Sequence, residues 1–175
     1  MAKEEIITAA EKAFADFSAA SYAADEGIFF NHEDGKWSVA ENIKHLVIST
    51  NISRLAFILP PFIVRWIAGK PNRNSRSYEQ LVEKYRTRLA EGGKAKGRFV
   101  PKKLEVQYGK QKLLQQWDQA ALKFISALKK KRTSETKLDD YLVRHPLLGR
   151  ITLRELCYFT IYHTEHHLAI IKKMI

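Results

Sequence analysis

The sequence predicts an all-α protein, a four-helix bundle with one long crossover between its second and third helices. Three observations carry that expectation. Four segments of helical length repeat apolar residues at spacings of three and four, Gly and Pro are sparse (8 and 5 in 175 residues), and no stretch alternates apolar and polar residues well enough to compete as a strand. A chain of this length is ordinary for one domain and buries a core without disulfides, so a single domain over 1–175 is expected.

The first helix is expected over Glu4–Ala24, alanine-rich and free of Gly and Pro. Ile6, Ala10, Phe14 and Phe17 share one face, and Lys3, Glu5 and Lys12 the other. After the loop NHEDGKW, Ser38-Val39-Ala40-Glu41 matches a capping box, in which serine and glutamate satisfy each other's free backbone donors. The second helix therefore starts at Val39, and it stops at Pro60. It is apolar on two sides, with Val39, Ile43, Leu46 and Val47 in one stripe and Ile48, Ile52, Leu55, Ala56 and Leu59 in another, which predicts a central position. At about 100° per residue His45 falls with Ile48, Ile52 and Ala56, so its ring is expected to point into a packed interior.

From Pro61 to Gln107 the periodicity weakens. Short helices are expected at Pro61–Ala68 and Tyr78–Glu91, followed by the loop GGKAKGRFVPKK, and together they form the crossover. The third long helix spans about Tyr108–Lys131, with Leu113, Leu114, Trp117, Ala120, Ala121, Phe124 and Leu128 on its apolar face. A polar linker, RTSETKLDD, leads to HPLLGR. The last helix runs from Thr152 to about Lys173 behind a second capping box, Thr152-Leu153-Arg154-Glu155. On it His163 and His167 share an inward sector with Leu156, Thr160, Ile170, Ile171 and Met174. His166 lies on the flank with Phe159, Tyr162, Ala169 and Lys173.

The net charge of +11 gathers in Lys94–Lys112 and in Lys129, Lys130, Lys131 and Arg132. The second cluster closes a helix, where cations meet the negative end of the helix dipole, and aromatic residues do not interleave with the first. A solvated basic surface is expected, with attraction of small anionic substrates a lesser role and nucleic acid not the expected partner. Cys157 is the only cysteine, which rules out an intrachain disulfide, and the N-terminus MAKEEIITAAEKAF lacks the pattern of a signal peptide; a cytoplasmic protein is expected. The apolar run from Leu55 to Gly69 is too short to span a bilayer and is broken by Pro60, Pro61 and Arg65, so no membrane partner is expected. A Gly-rich phosphate loop, a Walker pattern and a nucleophile elbow are all absent from the sequence.

Chemistry is carried by histidines. An imidazole in an apolar core must satisfy both ring nitrogens; a metal binds one while the other donates to a carbonyl, hydroxyl or carboxylate. A single core histidine is ordinarily a hydrogen-bonded structural residue. An i, i+4 pair on an inward face, joined by a third histidine from a facing helix, points to a metal site built from His45, His163 and His167. Glu41, Ser49 and Thr160, one turn from these, are candidates to receive the outer nitrogens. Cys157 lies off the ligand sector and reads as a small core residue. His32 and His145 sit in loops as solvent-facing or hydrogen-bonding residues, His145 placed before Pro146 to fix the turn into the last helix. Tyr162 and His166 read as flank packing or pocket rim.

WSVAENIKHL, HPLLGRITLRELCYF and HTEHHLAII together resemble the DinB-like (DinB/YfiT) metal-binding family over most of the chain. In that family a tryptophan precedes the second helix, a histidine on that helix is the first ligand, and an H-x-x-x-H pair on the last helix supplies two more. These positions map onto Trp37, His45, His163 and His167. The resemblance implies an up-down-down-up bundle, a divalent metal ion (zinc, nickel, iron or manganese) on three histidines with open positions, and frequent homodimers. A glutamine often found three residues after the last ligand is Ile170 here, and the basic excursion from Pro61 to Lys112 matches no family signature. Family members are similar to thiol transferases, which activate a low-molecular-weight thiol at the metal, or to metal-dependent hydrolases. The expectation is a metal-dependent enzyme acting on a small molecule by thiol transfer or hydrolysis; the alternative is a non-enzymatic bundle that binds a partner or nucleic acid through its basic surface.

Overall fold

The computed structural model describes residues 1–32, 35–130 and 134–175. Four long helices carry the fold: α1 (Lys3–Ala23), α3 (Val39–Ile58), α6 (Lys110–Lys129) and α8 (Leu153–Ile171). Between them lie the short helices α2 (Glu26–Phe29), α4 (Pro61–Ala68), α5 (Tyr78–Ala90) and α7 (Lys137–Asp140), and a hairpin of β1 (Leu142–His145) and β2 (Gly149–Thr152). Both predicted capping boxes form. Ser38 Oγ accepts from the Glu41 N–H while the Glu41 carboxylate accepts from the Ser38 N–H, and Thr152 and Glu155 repeat the exchange.

Side-chain contacts fix the helix directions. Ser18 meets Asp118 at 2.9 Å and Glu11 meets Lys129 at 2.6 Å, so α1 and α6 run antiparallel. Lys44 meets Gln116 at 3.0 Å and the Phe57 ring lies 5.6 Å from that of Phe124, so α3 and α6 run parallel. The amino terminus donates to Tyr158 Oη at 3.2 Å, placing the start of α1 beside the start of α8. The order is up-down-down-up, that of an all-α bundle. Its core centres on Trp117, edge-on to Phe14 and Phe17 and donating its indole N–H to Ser18 Oγ at 2.9 Å.

The crossover is fastened to α8 at the start of the helix and again at its middle. The fully buried Glu155 carboxylate takes two hydrogen bonds of 2.8 Å from the Arg73 guanidinium and one of 2.8 Å from the Arg76 backbone N–H. Farther along, Tyr85 of α5 packs its ring 5.5 Å from Phe159, and Arg86 donates to Tyr162 Oη at 2.8 Å. The chain then crosses α3, where the turn Gly97–Phe99 covers the His45 side of that helix.

Three expectations need correction. Residues 142–152, read as linker and turn, form the antiparallel hairpin pairing Leu142 with Thr152 and His145 with Gly149. Its strands are too short to display alternation, and Gly149 at φ +75° completes the turn. Second, Ile48, Ile52 and Ala56, the supposed inward companions of His45, are only half-buried, whereas Asn42, Ser49, Thr50 and Ser53 are buried. The crossover covers the His45 end of that stripe and leaves the rest facing outward. Third, the helix ends move by a residue or two, with α6 at Lys110–Lys129. Of the second basic cluster, Lys131 and Arg132 lie outside the described residues.

Among the described residues, no single helix is long and apolar enough to cross a membrane. The apolar run divides at Pro60 into α3 and α4, bent by 114°.

Candidate metal centre

His45 lies on the second turn of α3, and His163 and His167 stand one turn apart on α8; α3 and α8 run antiparallel. That geometry makes the three side chains meet. His45 Nε2 is 3.0 Å from His163 Nε2, and His167 Nε2 is 3.2 Å from the same atom. All three nitrogens lie within 4.8 Å of one another. Each residue retains 5% of its surface exposed, so the cluster is nearly enclosed.

Their outer nitrogens determine the protonation pattern. His45 Nδ1 lies 2.6 Å from the Phe99 carbonyl, which can only accept, so Nδ1 carries the hydrogen and Nε2 presents a lone pair. His167 Nδ1 lies 2.7 Å from Asn42 Oδ1. The Asn42 amide cannot be turned round, because its Nδ2 donates to the carbonyls of Ser38 at 2.9 Å and Trp37 at 3.3 Å. His167 Nδ1 therefore also donates, and its Nε2 presents a second lone pair. His163 Nδ1 faces Ser49 Oγ at 3.4 Å.

Two lone pairs thus converge on His163 Nε2, and one proton there can answer only one of them. Burial, with the neighbouring imidazoles adding to it, holds His163 and His167 well below the ordinary histidine range; burial also lowers His45, against the raising effect of the Phe99 carbonyl. All three rings are neutral at pH 7. The arrangement is that of an inward-facing donor set able to hold a cation. Two nitrogens bonded at about 2.0–2.1 Å to one ion stand about 2.9 Å apart at right angles and about 3.3 Å apart at the tetrahedral angle. The separations of 3.0 and 3.2 Å fall in that interval, and the residues fit the group.

Aromatic rings close the surroundings. Trp37 lies parallel to His167 at 6.3 Å and 4.9 Å from His45. Phe159, one turn before His163, stacks on it at 4.7 Å, and Tyr85 stands edge-on at 6.1 Å. His166 is half-buried with its ring 5.3 Å from His167, bordering the cluster without adding a nitrogen to it. A cavity of about 1100 Å³ opens at the other end of α8 beside Arg73, Arg154 and Tyr158 and includes none of the three histidines.

Of the residues expected to receive the outer nitrogens, only Ser49 does so. Glu41 is spent on its capping box and lies 3.3 Å from His32, and the Thr160 hydroxyl donates to the Leu156 carbonyl of its own helix. Asn42 and the Phe99 carbonyl take those roles, and sequence reasoning missed both. His145 is a structural acceptor: its Nδ1 receives the N–H groups of Leu147 and Leu148 at 3.2 and 3.1 Å, which fixes the hairpin turn. His32 lies 3.1 Å from the Leu104 carbonyl, and Cys157 is buried in the core.

Fold and site together define a four-helix bundle with a buried cluster of three histidines. The chain matches the DinB superfamily over residues 8–171 and belongs to it. No curated protein and no solved structure matches the chain.

Proposed function

We propose that His45, His163 and His167 hold a divalent metal ion through their Nε2 atoms, and that the protein is a metal-dependent enzyme acting on a small molecule, by thiol transfer in the first instance and hydrolysis as the second reading. The observation that carries the proposal is the convergence of lone pairs on His163 Nε2 while the outer nitrogens of His45 and His167 donate to the Phe99 carbonyl and Asn42. A divalent ion on three neutral imidazoles keeps its full charge and favours ionisation of a thiol or water that reaches it.

The chain's own residues set the conditions for that chemistry. Phe99 and Asn42 fix ring orientation and tautomer, so the donor atoms are aimed before an ion arrives. Trp37, Tyr85 and Phe159 exclude water and lower the local polarity, which strengthens electrostatic interactions at the centre. Among the described residues no carboxylate joins the clustered donors, so these residues bring no ligand charge to offset the ion. Open positions in such a donor set suit a low-molecular-weight thiol meeting an electrophile.

The test is a screen of low-molecular-weight thiols against electrophiles, and of small esters and amides, with the metal-loaded protein and its His163→Ala variant. Thiol-dependent turnover lost in the variant supports the first reading, and thiol-independent turnover lost in the variant supports the second. Turnover that survives in His163→Ala removes the centre from the chemistry.

A further inference from the structure

At the end of the bundle away from the histidines, α4 turns large apolar side chains outward. Phe62 and Trp66, one turn apart, are 72% and 86% exposed, and Ile67, next to Trp66 on the same helix, is exposed as well. Val64 and Ala68, on the opposite face of α4, are buried, so the helix is amphipathic with its second apolar face in solvent. Cations rim it. Lys70 follows the helix, Arg144 and Arg150 are exposed and paired across the adjoining hairpin, and Arg65 lies over the Tyr141 ring at 4.9 Å. Arg150 also reaches the end of α4, its Nη1 being 3.9 Å from where a side chain on Gly69 would begin. Asp140 is exposed near this rim and offsets one of these charges, while Asp139 is held by Arg154 at 2.8 Å.

We propose that α4 is a docking surface for an anionic lipid bilayer, lying flat with Phe62 and Trp66 in the headgroup and acyl boundary and Lys70, Arg144 and Arg150 against lipid phosphates. Aromatic side chains on one face with flanking cations are the composition of an interfacial helix. A second copy of the chain fits less well. Phe62 and Trp66 offer about 300 Å² of exposed surface, against the roughly 800 Å² per partner of a stable protein interface. Two copies would also bring together chains of net charge +11 each, whereas an anionic membrane complements that charge. This reverses the expectation of no membrane partner, which rested on the length needed to cross a bilayer and not on lying upon one.

The experiment is flotation of the full chain with vesicles of phosphatidylcholine alone and of phosphatidylcholine and phosphatidylglycerol in equal parts, the latter repeated with brominated acyl chains to quench tryptophan. Wild type is expected to float with the anionic vesicles only, and its emission to be quenched. The Trp66→Phe variant is expected to float but lose the quenching, since Trp117 is fully buried and Trp37 half-buried. The variant Phe62→Ser with Trp66→Ser is expected to bind at least about tenfold more weakly at an unchanged melting temperature. Flotation without quenching would reduce the effect to general charge attraction and overturn the proposal. So would equal binding by the double variant, or light scattering that shows the double substitution dissolving a dimer while vesicle binding persists.

Discussion

Asn42 holds together the cap of α3 and the tautomer of His167, and replacing it separates the two. Its amide is 1% exposed, donates to the Ser38 and Trp37 carbonyls, and accepts from His167 Nδ1. In Asn42→Ala the Ser38 carbonyl keeps the backbone N–H of residue 42, at 3.1 Å in the wild type, so it is not orphaned. The Trp37 carbonyl and the His167 N–H each lose a partner, at about 1–3 kcal/mol apiece, for a loss of roughly 2–6 kcal/mol. In a protein of this size that lowers the melting temperature by about 4–24 °C. Releasing His167 to its other tautomer also weakens metal binding by about 10- to 100-fold. Asn42→Asp separates the effects, because the carboxylate still accepts from His167 but turns an oxygen toward two carbonyls: stability falls while affinity stays within about threefold of wild type. The assay is metal titration against a chromophoric chelator beside thermal denaturation. If Asn42→Ala loses stability but its affinity changes less than about threefold, Asn42 is only a helix cap and the tautomer argument fails.

Three further outcomes follow from other buried groups. Burial chiefly, with Lys84 adding to it, lowers the His145 imidazole to about 4; a folded value below the ordinary one means stability is full above about pH 6.5 and is lost toward pH 4, at up to about 1.4 kcal/mol per pH unit. Denaturant titrations between pH 7 and 4 should show that slope shrink in His145→Asn, and an unchanged slope would refute it. Glu155→Ala strands Arg73 and Arg76 and removes the α8 cap, so a loss of about 3–5 kcal/mol is expected in denaturant unfolding, and one below about 1 kcal/mol would contradict the clamp. Burial pushes the Cys157 thiol up, so a thiol reagent should label it only after unfolding, and fast labelling of native protein would place it at the surface.

Much of this architecture is legible in the residues. Both capping boxes announced their helices, and the apolar face of α6 was readable from Leu113 to Leu128 because that helix has one dry side. The i, i+4 spacing of His163 and His167 on an inward sector pointed to two members of the cluster, and the structure brings His45 to them as the third. What escaped is contributed by nothing a side-chain pattern can show. The Phe99 carbonyl is a backbone atom brought in by a crossover turn 54 residues beyond His45. Asn42 lies in the polar first turn of α3 beside Glu41, where polarity fits a helix cap, so the pattern does not single it out. The half-burial of Ile48 and Ile52 depends on where the crossover happens to lie, which local periodicity does not encode.

X-ray absorption of protein purified without chelator or nickel resin tests the central claim most directly. Three imidazole nitrogens at about 2.0–2.1 Å from a first-row metal at one ion per chain, falling below one third of that content in the His45→Ala with His167→Ala variant, is the predicted result. A wild-type protein that takes up no metal, or a shell of oxygens unaffected by those substitutions, would contradict it.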